Sequence, residues 1–273
     1  MSLQKDFSRK YGPWAVVTGA SSGIGEQFAR LLAAEGLSVI LVARRADRLE
    51  ALAANLREKH GIEAEPIALD LSKNDFLAPL LKACDNKDIG LVISNAGFGL
   101  KGLHHEIPLQ KLSAMLDVNC RAPLLITRAL TPKLIERGRG GILLTGSMEG
   151  FFGVPWSAAY SATKAFVLSL GEALWSELGK SNIDVLVLAP GATDTETHIG
   201  QGIAREDLVG LKSPEEVARM GLEQIGKRPV YVSGLLNRQF IRVCSILPRR
   251  WAVALIGVGV RRVVVRNRKR GKD

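Results

Sequence analysis

The sequence predicts an α/β fold in which a parallel sheet is covered by helices on both faces. Three observations carry this reading. Short runs rich in aliphatic and β-branched residues recur at 14–18, 37–43, 65–69, 89–94, 141–145, 183–188 and 229–233. Most are apolar without alternation, as strands buried on both faces are. Helical patterns separate them, which argues for βαβ units. The first run also leads through a glycine-rich turn straight into a helical pattern with Phe28, Leu31 and Leu32 on one side.

That turn, Gly19-Ala-Ser-Ser-Gly23-Ile-Gly25, has the strand-turn-helix context of a dinucleotide fingerprint, although its spacing is Gly-x-x-x-Gly-x-Gly. Gly19 allows the tight turn, Gly23 lets backbone approach a pyrophosphate, and Gly25 lets helix and strand pack closely. Ser21, Ser22 and Ile24 complete the turn as candidate cofactor contacts. The helix N-terminus adds free N–H groups for phosphates. A plain tight turn is the structural alternative.

The second strand ends in Arg44-Arg45 and carries no acid there. An acid at this place accepts from the 2′-hydroxyl of NAD, whereas a cation accommodates the 2′-phosphate of NADP, so NADP(H) is the expected cofactor. The other reading is a solvated pair at the start of a helix over about 46–59. The third strand closes on Asp70, where an acid can meet the adenine amino group. The fourth closes on Asn95-Ala96-Gly97, a small strand end suited to an adenosine ribose.

A long amphipathic segment at about 109–137 holds Asn119 in its middle, an indifferent helix former that invites a reason. The next strand delivers Ser147. The loop 148–156 contains Met148, Phe151, Phe152, Val154, Pro155 and Trp156, unusually apolar for a connection, and is expected in a cleft or interface. Tyr160 and Lys164 follow, four residues apart and therefore on one face of a helix reaching about residue 178. A phenol has a reference pKa near 10, and an adjacent ammonium favours its ionised form. The sixth strand ends at Pro190-Gly191-Ala-Thr193-Asp-Thr195.

Composition bounds the rest. The chain has 273 residues, an apolar fraction of 47% and a net charge of +10. Residues 238–273 hold eleven Lys/Arg and one acid, which leaves 26 basic and 26 acidic residues before position 238. The charge belongs to the C-terminal segment, so we divide the chain into 1–237 and a basic, apolar extension, 238–273. Its apolar run 251–260 is too short to span a bilayer. Interfacial insertion on an anionic membrane fits its arginines, and a helix completing the substrate pocket or a subunit contact is the other reading. Nucleic acid is not expected. The cysteines Cys84, Cys120 and Cys244 are odd in number and lack any metal-ligand pattern. No metal is expected, and the expected location is cytoplasmic, with a peripheral membrane association through the extension. The first ten residues are polar and do not read as a signal peptide.

Taken together, Thr18-Gly-Ala-Ser-Ser-Gly-Ile-Gly25, Asn95-Ala-Gly97, Asn119, Ser147, Tyr160-x-x-x-Lys164 and Pro190-Gly191 resemble the short-chain dehydrogenase/reductase family over roughly residues 12–233. The resemblance implies a Rossmann-type sheet of seven parallel strands, three helices on each face, and a site at the strands' C-terminal edge. It implies that Tyr160 is the general acid or base and that Ser147 holds the carbonyl oxygen. Lys164 would lower the Tyr160 pKa and hold a ribose, and Asn119 would bind a relay water. Ile24 and the segment from Pro190 through Gly191 and Thr193 to Thr195 would flank the nicotinamide. Ser22 stands where many NADP-using members carry a cation, so the cofactor reading rests on Arg44 with Arg45 beside it. Because the extension follows the last strand, a dimer is expected rather than the family's usual tetramer. The apolar loop implies an apolar ketone or alcohol, lipid-like or steroid-like, with Phe151, Phe152 and Trp156 as substrate contacts and Glu149 as a contact to a substrate hydroxyl. A mobile lid is expected at about 196–211. The competing readings are a reductase of small polar carbonyls and a non-catalytic NADP sensor or membrane-associated scaffold.

Overall fold

In the computed structural model we describe Leu3, residues 6–196 and residues 210–270, with side chains through Arg261. Apart from Glu196 and its last two positions, the expected lid lies outside these residues.

Seven strands form one sheet: β1 Trp14–Thr18, β2 Ser38–Ala43, β3 Ala64–Ala68, β4 Ile89–Ser94, β5 Gly140–Thr145, β6 Ile183–Ala189 and β7 Val230–Val232. Their order is β3-β2-β1-β4-β5-β6-β7 and every pair is parallel. The chain runs outward in one direction from β1 and then in the other from β4. This reversal opens a crevice beyond the carboxyl ends of those two strands.

Because successive side chains point to opposite faces, β1 serves two cores. Ala15 and Val17 join one cluster with Phe28 and Leu32 of α2 (Gly23–Ala34), Leu49 of α3 (Ala46–His60) and Val217 of the helix Pro214–Gln224. Trp14 and Val16 join the other, with Leu80 of α4 (Leu77–Ala83), Ile126 of α6 (Ala122–Arg137) and Val167 of α7 (Ala158–Leu178). Three helices therefore cover each face among the described residues. A short helix, α1 (Phe7–Tyr11), precedes the sheet. The N-terminal segment that reads as polar buries Leu3, Phe7 and Tyr11, spaced four apart.

The long segment expected at 109–137 is not one regular helix. It begins as α5 (Leu109–Leu116), widens into a π turn at Asp117–Arg121 and continues as α6. Such an inserted turn re-aims a side chain without ending the helix. Here the re-aimed residue is Asn119.

The helix Pro214–Gln224, α8, starts at Ser213 with a reciprocal capping box to Glu216. The C-terminal extension forms α9 (Leu235–Ile246) and α10 (Arg249–Arg270), broken at Pro248. The pair is not detached from the body: Ile241, Cys244 and Ala252 share a core cluster with Phe152, Ala189 and Val232. Among the described residues no helix is long and apolar enough to cross a membrane.

Candidate active site

The crevice holds a cleft of about 1190 Å³. One end is lined by the turn after β1 and the other by α9 and α10, with Ser147, Tyr160 and Lys164 between them.

At the first end the glycines are demanded by geometry. Gly19 and Gly23 have φ of +71° and +57°, in the region that disfavours other residues. A Cβ at Gly25 would collide with the Gly19 carbonyl oxygen and approach the Asn95 amide to 2.5 Å. A Cβ on Gly23 would stand 3.0 Å from Thr195 Cγ2, so the turn and the segment after β6 face one another across the cleft. Arg45 reaches back over this turn. Its Nη2 donates to Ser21 Oγ at 3.0 Å and to Ser22 Oγ at 2.7 Å, and its Nη1 donates to Glu196 Oε2 at 2.7 Å. Arg48, which the sequence reading did not single out, donates to the other Glu196 oxygen at 2.6 Å. Hydrogen bonds from Arg48 and Arg45 push the Glu196 carboxyl down to about 2.

Arg44 and Arg45 part company here, although the sequence reading placed the first ahead of the second. Arg44 is exposed and lies on the Asp70 side of the cleft, whereas Arg45 is half-buried against the serines. Burial raises the Asp70 carboxyl. Hydrogen bonds from Ser72, at 3.0 Å from its N–H and 2.8 Å from its hydroxyl, outweigh this with help from Arg44, and the net shift is downward.

Three strand ends are tied together at Asn95. The Thr18 hydroxyl accepts from the N–H groups of Asn95 and Ala96 at 2.9 and 3.0 Å. The Asn95 amide donates to the Thr18 carbonyl at 3.2 Å and accepts from the Thr145 hydroxyl at 3.1 Å. Thr18 and Thr145 are positioning residues that the sequence reading passed over. Asn95, Ala96 and Gly97 all line the cleft.

Asn119 is buried and fully anchored through its side chain. Its amide donates to the Phe98 carbonyl at 2.9 Å and to Thr163 Oγ1 at 3.0 Å, and its Oδ1 accepts from the Phe98 N–H at 3.1 Å. Both amide hydrogens are committed to protein. The side chain brackets the loop after β4 to α7. Gly97 leaves the necessary room, since a Cβ there would stand 3.1 Å from Asn119 Oδ1 and 3.3 Å from Lys164 Nζ.

Tyr160, Lys164 and Ser147 come together on α7 and at the end of β5. Lys164 is buried, donates to the Thr145 carbonyl at 2.8 Å and lies 5.8 Å from the centre of the Tyr160 ring. Burial pulls its ammonium down to about 8, against a small opposing contribution from Cys120. The Tyr160 phenol is moved opposite to the expectation. Burial pushes it well above its ordinary value and the Glu149 carboxylate adds to this, while a hydrogen bond with Ser147 works the other way. Ser147 Oγ also accepts from the Glu149 N–H at 3.2 Å. That contact does not use the serine's own proton.

Beyond Ser147 the two sequence-predicted aromatic contacts in the loop separate from the third. Phe152 lines the cleft; Phe151 does not, and packs instead on the core. Trp156 also lies off the cleft wall, with φ +60° and Arg261 at 6.0 Å from its ring. The apolar wall is supplied by Met148, Phe152 and Val154 together with Phe240, Leu255 and Ile256 from α9 and α10. Glu149 does line the cleft, but its carboxylate is engaged by Lys101 Nζ at 2.6 and 2.7 Å and by the Ser157 hydroxyl at 2.6 Å. Lys101 lies 48 positions upstream, and nothing in its local sequence marks it. Pro190, Gly191, Thr193 and Thr195 line the cleft after β6, where the Gly191 N–H donates to Ser233 Oγ at 3.1 Å.

This arrangement defines a class of protein. A two-sided parallel sheet delivers a glycine turn, a basic residue, a buried serine and lysine and a half-buried tyrosine to one crevice. The family model for short chain dehydrogenases matches residues 13–204, and the chain belongs to that family. At this level it is an oxidoreductase of alcohol and carbonyl groups. Among its relatives is a 7beta-hydroxysteroid dehydrogenase of Clostridium sardiniense, 33% identical over 92% of this chain and 97% of that one. A very-long-chain 3-oxoacyl-CoA reductase of Phaeosphaeria nodorum is 40% identical over 79% of this chain, which spans 64% of that longer protein. Among solved structures, a short-chain dehydrogenase from Sphingobium yanoikuyae in complex with NADPH superposes with a TM-score of 0.77 at 31% identity, covering 87% of this chain and 97% of that one.

Proposed function

We propose that this chain interconverts a ketone and a secondary alcohol on an apolar substrate, uses NADP(H), and relies on Tyr160 as the group that gives and takes the proton. One observation carries the reading: Ser147, Tyr160 and Lys164 line the junction of two unlike halves of one cleft, with Lys164 Nζ 5.8 Å from the centre of the Tyr160 ring. The first half suits a dinucleotide. The Gly19–Gly25 turn admits backbone only, the α2 N-terminus supplies N–H groups, and Arg45 with Ser21 and Ser22 forms a cationic corner for a 2′-phosphate. Arg44 and Asp70 face the adenosine end. Ile24, Pro190, Gly191, Thr193 and Thr195 would border the nicotinamide, and Asn95, Ala96 and Gly97 a ribose. The NADPH complex of the Sphingobium relative supports the same cofactor.

A bound nicotinamide supplies or accepts the hydride; the chain's own residues govern the proton and the orientation. A carbonyl oxygen placed beside Ser147 and Tyr160 receives a hydrogen bond from the serine and the proton from the phenol. Burial keeps that phenol protonated at neutral pH, which suits it as the acid of carbonyl reduction. Lys164, held by Thr145, keeps a cation close to the phenol to steady the charge left after transfer. Phe152, Val154, Phe240 and Ile256 exclude water around the reacting carbon. The names of the hydroxysteroid and very-long-chain oxoacyl relatives support an apolar substrate.

Turnover of NADPH and NADH with ketones of graded apolar length tests this reading. Activity should favour NADPH and rise with apolar length; activity confined to short polar carbonyls would overturn the substrate class. Tyr160→Phe should lower turnover by about 10²–10⁴-fold with NADPH binding retained. Unchanged turnover would remove the proton role and favour a different catalytic group. Absence of turnover in the wild type would favour the sensor reading.

A second reading concerns the extension. Val243 and Ile246 on α9 and Trp251 and Val258 on α10 are exposed, and Arg242, Arg249 and Arg250 are exposed with them. No acid occurs from 238 to 272. Such a face suits anionic headgroups. Flotation with anionic but not neutral vesicles would support membrane docking, whereas a concentration-dependent dimer indifferent to vesicles would assign the face to a second copy.

A further inference from the structure

We propose that Lys101 and Glu149 form a positioning pair that holds the acidic end of Tyr160 and sets the pH at which that phenol releases its proton. The inference rests on Tyr160 being the proton donor.

The pair is built into the cleft rather than solvated on its rim. The Lys101 side chain is only 5% exposed. Its three ammonium hydrogens have three acceptors, Glu149 Oε1 at 2.6 Å, Glu149 Oε2 at 2.7 Å and Ser157 Oγ at 2.8 Å. Ser157 is itself buried and returns its hydroxyl proton to Glu149. The two members stand near the catalytic group with opposite charges. Lys101 Nζ stands 5.5 Å from the centre of the Tyr160 ring. Glu149 follows Ser147 by two residues and donates its N–H to the Ser147 hydroxyl.

A carboxylate disfavours a nearby phenolate and an ammonium favours it. Glu149 raises the phenol, and the ammonium in contact with that carboxylate works against it. Removing either charge exposes the other in a poorly solvated place, where buried charges are screened little. Among the described residues, the other charged or titratable groups on this side are Lys164 on α7 and, beside it, Cys120 on the π turn. The residues of α9 and α10 that line the cleft, Leu236, Asn237, Phe240 and those of α10, carry no charge. Among the described residues the charge balance at Tyr160 therefore rests on Lys164 and on this pair.

The test is an alkaline titration of tyrosinate absorbance. The chain has three tyrosines, and subtracting the Tyr160→Phe variant isolates one of them. Lys101→Met should shift Tyr160 ionisation upward and Glu149→Gln downward, each by about one pH unit, or about a tenfold change in tyrosinate fraction at one alkaline pH. The double variant should return close to the wild type, and Glu149→Asp should restore it. Lys101→Gln serves if the methionine variant does not fold. The alkaline limb of alcohol oxidation should move in the same two directions.

Shifts of the same sign in the two single variants, or none, would overturn the proposal and leave the pair as a staple of the loop. A change confined to KM would also overturn it, in favour of direct substrate contact. If Tyr160→Phe retained turnover, the reading of Tyr160 as proton donor would fail, while the absorbance shifts would still decide whether the pair controls that phenol.

Discussion

Arg45, rather than its neighbour, carries the cationic corner of the glycine turn. Two adjacent residues at a strand end point in different directions, so one faces the serines and the other the Asp70 side of the crevice. Arg45→Ala should weaken NADPH binding by about tenfold or more, the scale of one lost charge-assisted contact. NADH binding should change little, and calorimetry with both cofactors reads the difference. An equal loss for both would make Arg45 a scaffold for Ser21 and Ser22. The same scale explains why Tyr160, Lys164 and Ser147 were legible in the sequence while Lys101 was not. The first three carry their chemistry in residue type and fixed spacing. Lys101 is distinguished only by burial against a carboxylate brought in from another loop.

At the scale of elements, the π turn and the C-terminal helices matter most. A regular helix through residue 119 would have been the simplest use of an amphipathic segment. The inserted turn instead buries an amide that pins Phe98 and Thr163, a demand no periodicity reveals. The helices α9 and α10 build the apolar wall of the cleft. Ile256, half-buried and lining that wall, should therefore tune substrate size. Ile256→Ala should lower kcat/KM for a bulky apolar ketone by about threefold to thirtyfold, the worth of one to two buried methylenes, and steady-state kinetics on two ketone sizes would show it. An equal loss on a small ketone would mean a global effect. On α8, Ser213 accepts from the Glu216 N–H and Glu216 reaches back to the Ser213 N–H. Ser213→Ala should cost about 1 kcal/mol of stability in urea denaturation.

For the whole molecule, the base of the sheet is tied to its N-terminus. The Tyr11 phenol is buried and donates to Asp184 on β6, and Lys10 reaches the same carboxylate. Burial pushes the Tyr11 phenol far above its usual value, and the bond and charge of Asp184 push it further. A group whose folded pKa is raised contributes its full stability below its unfolded pKa, near 10 for tyrosine, and loses it as pH rises towards the folded value. The folded chain should therefore lose stability above about pH 10. Tyr11→Phe should flatten that loss, measured as the urea midpoint from neutral to alkaline pH, and an identical slope would place the alkaline sensitivity elsewhere.

The sequence by itself determined the order of strands and helices, the parallel sheet, the glycine turn and the catalytic types, because each is a local pattern of periodicity, backbone freedom or fixed spacing. It also located the charge in residues 238–273 by simple count. Only the tertiary structure decided what faces the cleft. It turned Phe151 into the core and Trp156 towards Arg261 while leaving Phe152 in the wall. It brought Lys101 to Glu149 and folded the extension back over the cleft. The physical reason is that composition shows a side chain's chemistry, whereas its partner is chosen by which elements, distant along the chain, the sheet brings within reach.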